Sequence, residues 1–387
     1  MDNKKYDNKN TKIYYIIMSF IFIIFLVVVV VFNILKKDIK FSESENRILA
    51  KKPKFKVEKL IEGKFTKKYE KYKIDQFINR DLWIEVKTSF DKMLGKNKSN
   101  GVYLSKYNYL IEEFKEPNSN IIKSNLDTIN KFSDKYKNIK QHFIIAPNAI
   151  EILEKNLPIF APTVSQKKYI DNFKDKLNKN VNFIDAYKAL KDHNKEYIYY
   201  KTDHHWTTLG SYYTFLEAAN SMNINIEKIK YDVKKVSNSF FGTLSSKSGY
   251  KAKEADYIEV YIPKNKNDEY VVNYVEEQKK SASFYDSSKL SVKDKYAVFL
   301  GGNHPLTKIK TTSKEDRRLL IFKDSYANNF IPFLTPHFKE IVVVDPRYYY
   351  DDIDELIEEE KITDTLFLYN ANTFFSDTSL ELVLNNK

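Results

Sequence analysis

The sequence predicts a three-layer α/β domain that follows a long apolar N-terminal helix. Short apolar runs recur after residue 100. Each is too short for a helix and apolar throughout, as strands buried on both faces of a parallel sheet are. Helical stretches between several of these runs would cover the two faces of the sheet. The predicted strands are 142–146, 181–185, 296–300, 319–322, 341–344 and 366–369. The predicted helices are 120–137, 165–178, 208–222 and 351–360.

The N-terminal helix is predicted from an uncharged apolar run over residues 13–32. A helix of that length spans about 30 Å, the hydrocarbon thickness of a bilayer. Lysines flank the run on both sides, and no small-residue cleavage site follows it. We interpret it as an uncleaved signal anchor, with a short tail inside the cell and a long domain outside.

The remaining patterns divide the chain into regions. We expect a cytoplasmic tail over 1–12, a transmembrane anchor over 13–35, a juxtamembrane helical region over 36–99 and the α/β domain over 100–387. Aromatic and charged side chains over 65–94 alternate with the spacing of one or two amphipathic helices. We expect these helices to pack on the domain; the alternative is that they lie on the membrane surface.

An insertion is expected at about 245–295 within the α/β domain. The alternating runs 257–262 and 270–275 flank a Pro-Lys-Asn-Lys-Asn turn. Alternation on both sides of a turn predicts a β-hairpin.

The basic composition does not indicate a nucleic-acid partner. The net charge is +12, but only five of the 64 basic residues are arginine, and the lysines are spread along the whole chain. A phosphate-binding patch would favour clustered arginine. The chain has no cysteine, which excludes a disulfide, a thiolate nucleophile and a cysteine-ligated zinc.

Ser325 is the candidate nucleophile. It follows the predicted strand 319–322 and precedes a run with helical character over 326–334. Ligands of open α/β sheets bind beyond the carboxyl ends of the strands, and the N–H groups of a helix N-terminus stabilise an oxyanion. The alternative is that Asp324 or Ser325 serves only as a helix N-cap.

Asp203 and His205 are the candidate carboxylate and base. They belong to the run Asp203-His204-His205-Trp206. With one residue between them, the carboxylate can meet one imidazole nitrogen and leave the other free to take a proton. His204 would point elsewhere in an extended segment. A zinc or manganese site is the alternative, but it needs a further ligand.

Four more residues are candidates for binding the substrate or its oxyanion. Gly302 and Asn303 follow the run 296–300, where an amide can donate to a developing oxyanion; a simple turn is the alternative. Trp206 is most simply a core side chain, or else a platform for a sugar ring. Arg347 is one of few arginines in a lysine-rich chain, which indicates a site where the forked hydrogen bonding of a guanidinium is needed. The alternative is an ordinary surface cation.

These residues resemble a known family. Asp203-His204-His205-Trp206 is the run that gives the DHHW proteins their name, and these are similar to the alginate O-acetylation proteins of the SGNH-hydrolase-like group. The usual Gly-Asp-Ser has Lys323 in place of its glycine, and the serine follows the Asp/His block, as in a circular permutation. The other shared motifs are Ser44-Glu45-Asn46-Arg47, Ala146-Pro147-Asn148, Phe241-Gly242-Thr243-Leu244, Gly301-Gly302-Asn303 and Lys323-Asp324-Ser325-Tyr326-Ala327-Asn328.

The resemblance implies an extracytoplasmic O-acetyltransferase of a cell-surface or secreted polysaccharide. Ser325, His205 and Asp203 would form its catalytic triad, within an SGNH-like catalytic domain. A membrane-bound O-acyltransferase partner would supply the acetyl group, so no cofactor is expected. The alternatives are a carbohydrate acetylesterase with the same triad and a non-catalytic polysaccharide-binding scaffold of an envelope complex.

Overall fold

A computed structural model describes residues 9–42, 47–226, 229–264 and 269–385 of the chain. The chain divides into two units, Met1–Phe90 and Asp91–Lys387. The sequence analysis expected the α/β domain to begin about ten residues later. Most of the Ser44-Glu45-Asn46-Arg47 motif lies outside the described residues.

The first unit contains a long apolar helix, α1 (Lys9–Leu35). Its segment Thr11–Leu35 has a mean hydropathy of 3.2, is exposed along its length and is long and apolar enough to cross a membrane. Short elements follow it: β1 (Phe41–Ser42), β2 (Arg47–Ile48), α2 (Val57–Ile61), α3 (Lys64–Asp75) and α4 (Arg80–Met93), whose last three residues belong to the second unit. The helical spacing over 65–94 corresponds to two helices, α3 and α4.

The second unit has the alternation of strands and helices expected of an α/β domain. Its strands are β3 (Lys98–Ser99), β4 (Val102–Leu104), β5 (Leu110–Glu112), β6 (Lys140–Ala146), β7 (Val181–Phe183), β8 (Tyr231–Phe240), β9 (Asp256–Pro263), β10 (Tyr270–Tyr274), β11 (Lys279–Ser281), β12 (Leu306–Thr311), β13 (Arg318–Lys323), β14 (Glu340–Val344) and β15 (Asp364–Asn370). Its α-helices are α5 (Ser119–Lys135), α6 (Ala149–Ile152), α7 (Gln166–Lys174), α8 (Ala186–Asp192), α9 (Thr208–Ser221), α10 (Thr243–Ser248), α11 (Ile331–Leu334), α12 (Ile353–Glu359), α13 (Ala371–Phe374) and α14 (Ser379–Leu384).

Eight strands form the central sheet in the order β11-β10-β12-β14-β13-β15-β6-β7. The five strands from β14 to β7 are parallel, and β12, β10 and β11 extend the sheet in antiparallel pairs. The parallel strands are nearly all apolar and buried because helices cover both faces. Five of the six predicted strands lie in this parallel part.

The sixth predicted strand, 296–300, is wrong. Lys295–Val298 is a 3₁₀ helix, and positive φ angles at Leu300 and Gly301 turn the chain directly after it. Tyr296 and Phe299 pack in a second, smaller cluster beside Tyr200 and Phe240. An apolar run of five residues indicates burial but does not distinguish a strand from a buried turn.

The predicted β-hairpin also needs correction. Both of its strands exist, but they do not pair with each other. β9 pairs with the earlier strand β8 in a separate two-stranded sheet, whereas β10 joins the central sheet between β11 and β12. Alternation identifies a strand with one buried face, but the partner is chosen by tertiary packing, which the local sequence does not specify.

The register of the parallel strands brings three polar segments to one edge of the sheet. Lys323 at the end of β13 pairs with Leu368 in β15, and Asn370 at the end of β15 pairs with Ala146 in β6. The residues that follow β13, β15 and β6 therefore meet at the carboxyl edge, where ligands of open α/β sheets bind. Ser325 lies in the first of these segments.

Candidate active site

Ser325 begins a tight turn directly after the central strand β13. The 3₁₀ helix Ser325–Asn329 and the short α11 replace the continuous helix predicted over 326–334. Asp324 caps the turn, since one oxygen accepts from the Tyr326 N–H at 2.9 Å and the other accepts from both nitrogens of Asn370 at 2.8 and 2.6 Å. Asp324 is thus the N-cap, and the Ser325 hydroxyl is left for another partner.

That partner is His205. The distance from Ser325 Oγ to His205 Nε2 is 2.8 Å, and the distance from His205 Nδ1 to Asp203 Oδ1 is 2.5 Å. The first distance lies within the range for proton transfer from a hydroxyl to an imidazole, and the second brings the carboxylate into close contact with the other ring nitrogen. The structure therefore connects the serine, histidine and aspartate in the expected order.

The Asp203 carboxylate is buried and fully hydrogen-bonded. Oδ1 also accepts from the His205 backbone N–H at 3.0 Å, and Oδ2 accepts from the Thr243 N–H at 2.7 Å and its hydroxyl at 2.9 Å. Burial alone would raise the pKa of Asp203, but the two neighbouring imidazoles and the Thr243 N–H hold it well below its usual range. The carboxylate is therefore charged and fixed in position.

The loop that carries Thr243 packs against Asp203 with no space to spare. A Cβ atom on Gly242 would lie 2.2 Å from the Asp203 Cβ and 2.4 Å from its Oδ2. Gly242 has a φ of −80°, so the glycine is required by space and not by backbone conformation. Sequence analysis noted this motif by resemblance, but its contact with Asp203 spans forty residues and has no local signal.

A second buried carboxylate anchors the segment before Asp203. Asp256 Oδ2 accepts from the Thr202 N–H at 2.8 Å and the Thr202 hydroxyl at 2.5 Å, and Oδ1 accepts from the Lys201 N–H at 2.8 Å and from the Tyr197 hydroxyl. Thr202 Oγ1 in turn accepts from the Gly242 N–H at 2.8 Å. Asp256 thereby positions both segments that hold Asp203. Sequence analysis did not identify it.

His205 is held as a neutral base. Its ring stacks on Tyr296 with 3.7 Å between the ring centroids and 11° between the planes. The Tyr296 hydroxyl donates to the Ser325 carbonyl at 3.1 Å. Burial and the neighbouring His204 lower the pKa of His205 from 6.5 to about 4, although Asp203 opposes this shift. At neutral pH the ring is therefore free to accept a proton.

Asn303, the candidate oxyanion donor, has its side-chain oxygen occupied. Asn303 Oδ1 accepts from Lys323 Nζ at 2.8 Å and from Asn328 Nδ2 at 3.2 Å. With the oxygen fixed in this way, the amide NH₂ group faces away from both donors. Asn328 Nδ2 also lies 3.2 Å from the carbonyl oxygen of Gly302. The glycine turn is therefore attached to residues on both sides of Ser325.

Lys323 stands where the usual motif has glycine, and it is buried. Its Nζ lies 2.8 Å from Asn303 Oδ1, 2.9 Å from Asn328 Oδ1 and 3.2 Å from Asp345 Oδ2. Burial lowers the pKa of Lys323, and the Asp345 carboxylate opposes this shift. Three acceptors match the three hydrogens of an ammonium group, so the surroundings favour the charged form.

Arg347 connects this network to an open cleft. Its guanidinium pairs with both oxygens of Asp345 at 2.8 and 2.6 Å. The cleft has a volume of about 900 Å³, and Arg347 and His204 belong to its lining. Other polar side chains and a few apolar ones share the lining; they include Glu112, Phe114, Thr243, Lys247, Asn372 and Phe375. Such a mixed surface suits a polar ligand with apolar faces.

The chain matches a known protein family. The sequence profile of the DHHW protein family matches residues 116–344. The chain belongs to the DHHW family. No curated protein matches it.

Several solved structures are similar to this chain. A DHHW family protein from Eubacterium siraeum is 27% identical, with a TM-score of 0.65 over 75% of this chain and 96% of that one. Bacillus cereus PatB1 with a sulfonyl adduct is 21% identical, with a TM-score of 0.62 over 74% of this chain and 98% of that one. The O-acetyltransferase domain of Pseudomonas putida AlgJ is 14% identical, with a TM-score of 0.46 over 74% of this chain and 99% of that one. The suspected DHHW family and the predicted α/β fold class are thus confirmed.

The four residues of the DHHW run lie in different surroundings. Asp203 and His205 face the serine, whereas the His204 ring lines the cleft and its Nδ1 donates to the Thr243 hydroxyl at 2.9 Å. Trp206 is fully buried, and its N–H lies 2.7 Å from Asn329 Oδ1. Trp206 is therefore a core side chain, and its alternative role as a sugar platform is wrong because no face of the ring is accessible.

A metal could in principle use the first three of these residues. Asp203, His204 and His205 offer ligand atoms within 4.8 Å of one another. However, Asp203 and both Nδ1 atoms already have hydrogen-bond partners, and each Nδ1 faces an oxygen acceptor. Protonated Nδ1 atoms account for these contacts and cannot bind a metal, and the His205 Nε2 already lies 2.8 Å from Ser325 Oγ. The DHHW run is thus better described as a hydrogen-bonded unit.

Replacing Gly242 by alanine tests the packing around Asp203. The added methyl group must displace the carboxylate, so Gly242→Ala should lower the free energy of unfolding by about 1–3 kcal/mol. It should also remove the downfield proton NMR signal of the His205 Nδ1–H. Thr243→Ser is the control, because it keeps both the hydroxyl and the backbone N–H donor to Asp203 and should keep that signal. An unchanged signal in Gly242→Ala would contradict the described packing.

The protonation of His205 can be followed by titrating the ring nitrogens by NMR. With a pKa of about 4, His205 should remain neutral from neutral pH down to about pH 4 and gain a proton below it. A reaction that uses its free nitrogen should therefore lose rate only as the pH falls through that range. Titration near 6.5 would show that burial and His204 do not have the effect described.

Proposed function

We propose that this DHHW protein is an O-acyltransferase that moves an acetyl group through Ser325 to a hydroxyl of a cell-surface or secreted polysaccharide. The observation that carries the proposal is the continuous hydrogen-bond chain from Ser325 through His205 to the buried Asp203. A serine hydroxyl alone is a weak nucleophile, and this arrangement is the one that activates it.

In the first half-reaction, Ser325 Oγ attacks the carbonyl carbon of the acetyl donor while its proton moves to His205 Nε2. The bond from that carbon to the leaving group then breaks, and His205 returns the proton to the leaving group. Asp203 stays charged throughout and stabilises the imidazolium. The product is an acetyl ester on Ser325.

In the second half-reaction, a sugar hydroxyl attacks the acetyl carbonyl and gives its proton to His205. The ester bond to Ser325 Oγ breaks, and the serine regains its proton from the imidazolium. A tetrahedral oxyanion forms in both halves. The Ser325 N–H, which has no acceptor within the turn that it begins, and the Asn303 amide are its proposed donors.

The surroundings of the serine support this chemistry. Lys323 and Asn328 fix the Asn303 oxygen and so leave its NH₂ group to donate. The adjoining cleft has room for several sugar units and offers carboxylates, amides and Arg347 to their hydroxyl groups. The sulfonyl adduct carried by the related PatB1 is the kind of group that an activated nucleophile forms.

The acetyl donor is proposed to come from a membrane partner. Helix α1 is long and apolar enough to hold the protein at a bilayer, beside a membrane-bound O-acyltransferase that passes acetyl groups outward. The protein would then need no cofactor of its own. A single-pass anchor with its folded part outside the cytoplasm gives access to envelope polysaccharide.

A transfer assay tests the proposal. The full-length protein should release the leaving group of a small activated acetyl ester slowly, and added glycan should raise the rate and become acetylated, because a bound hydroxyl has a higher effective molarity than water. Ser325→Ala should lower both activities at least about a thousand-fold. Mass spectrometry of the glycan and of the Ser325 peptide gives the readout.

The outcomes separate the alternatives. Removal of acetyl groups from acetylated glycan, with none transferred even when the membrane partner is supplied, would show an esterase with the same triad. Ser325→Ala cells with normally acetylated polysaccharide would instead indicate a non-catalytic scaffold. Asn303→Ala is a graded control, since losing one oxyanion donor costs about 10²–10³ in rate without removing the nucleophile.

The proposed location can be tested in spheroplasts. Protease added outside should digest the second unit and leave a small membrane-bound fragment that contains α1. The same protease should act no differently on Ser325→Ala, since the anchor is independent of the site. Complete protection of the second unit until the membrane is opened would place it inside and exclude an envelope polysaccharide as acceptor.

A further inference from the structure

Helix α4 turns its apolar side outward. Leu82, Val86 and Phe90 are 54%, 52% and 59% exposed, and Trp83 beside them is 42% exposed, whereas Thr88 on the opposite side is only 3% exposed. A helix of a soluble domain has the reverse arrangement, with its apolar stripe facing the core. An exposed apolar patch of this kind marks an interaction site.

The exposed residues form a continuous stripe. Leu82, Val86 and Phe90 are spaced four residues apart, so their side chains lie along one face of the helix, with Trp83 at its border. Charged residues of both signs, Asp81, Glu85, Lys87 and Lys92, lie about 100° or more around the helix from Val86. The helix therefore has an apolar face and a charged flank, the pattern of helices that lie flat on a bilayer.

The start of α4 is attached to the end of the apolar helix α1. The Ile78 N–H, two residues before α4, donates to Asn33 Oδ1 at 2.9 Å. Just before it, the side chain of Gln76 exchanges two hydrogen bonds with the backbone of Ile39 at 3.0 and 2.9 Å. Asn33 lies in the last turns of the Thr11–Leu35 span. These contacts hold the start of α4 at the level where α1 would leave the hydrocarbon.

We propose that α4 lies in the membrane surface, with Leu82, Val86 and Phe90 in the boundary between headgroups and acyl chains. Trp83 is the residue type that prefers this boundary. The occupant of the apolar face is thus lipid. The inference rests on the proposed membrane anchor. Helix α4 would be a second attachment to the membrane beside α1. The chain that leaves α1 would then run along the membrane surface before it enters the second unit.

Single-cysteine spin labels on the full-length protein in phosphatidylcholine/phosphatidylglycerol vesicles test this arrangement, since the natural chain has no cysteine. A label at Val86→Cys should collide readily with oxygen, which concentrates in lipid, and should be protected at least several-fold from a water-soluble nickel chelate. Asp81→Cys, on the charged flank of the same helix, should show the reverse preference. Val27→Cys, within α1, reports on the anchor itself.

The accessibilities of the Val86 and Val27 labels together distinguish the possible arrangements. A Val86 label that is open to the nickel chelate lies in water, and one protected from both reagents is covered by protein; either result overturns the inference. If Val27 still shows lipid exposure in those cases, the anchor stands and only the surface helix fails. If Val27 is not exposed to lipid, the anchor proposal fails first. As a second readout, Leu82→Glu with Val86→Glu should abolish quenching of Trp83 by brominated lipids, while Trp206 stays unquenched in the core.

Discussion

A charged carboxylate persists in a protein interior only when donors surround it, and the Asp203 carboxylate meets this condition with four. Its donors come from two segments about forty residues apart, His205 and Thr243. The charge therefore holds the two segments together, and the same hydrogen bonds orient the His205 ring toward Ser325. A second buried carboxylate, that of Asp256, holds the residue before Asp203 in a similar way. It accepts two hydrogen bonds from Thr202, and the Thr202 hydroxyl in turn accepts from the Gly242 N–H, next to Thr243.

The sequence was informative where burial alone decides the structure. Strands β13, β14 and β15 are apolar at nearly every position because both faces of the sheet are covered, and such runs are recognisable without knowledge of their neighbours. Strand β12 was missed, because Lys308 and Lys310 interrupt its apolar residues and its partner β14 follows after another strand. Pairing over such distances depends on tertiary packing, as the misassigned hairpin also shows.

The candidate site divides in the same way. The meeting of Asp203, His205 and Ser325 was predictable, because an activated serine would need a histidine and a carboxylate beside it and the sequence offers them as Asp-x-His. Thr243, Asp256 and Tyr296 have no such signature: a threonine, an aspartate and a tyrosine occur throughout the chain, and only the fold makes them neighbours of the triad. Trp206 is the opposite case, a residue in a conspicuous motif that does not contact a ligand. It is fully buried, and its N–H donates to the carbonyl of Tyr326, next to Ser325.

Lys323 stands in place of the glycine that usually precedes Asp-Ser, and its buried charge is paired. A glycine there would leave space; the lysine fills it and places a positive charge two residues before the serine. Burying an ammonium group is costly unless it is paired, and Asp345 provides the pairing while being itself held by Arg347. The ammonium can then hold the Asn303 oxygen in a fixed direction. The lysine that replaces the usual glycine thus orients the side chain proposed to bind the oxyanion.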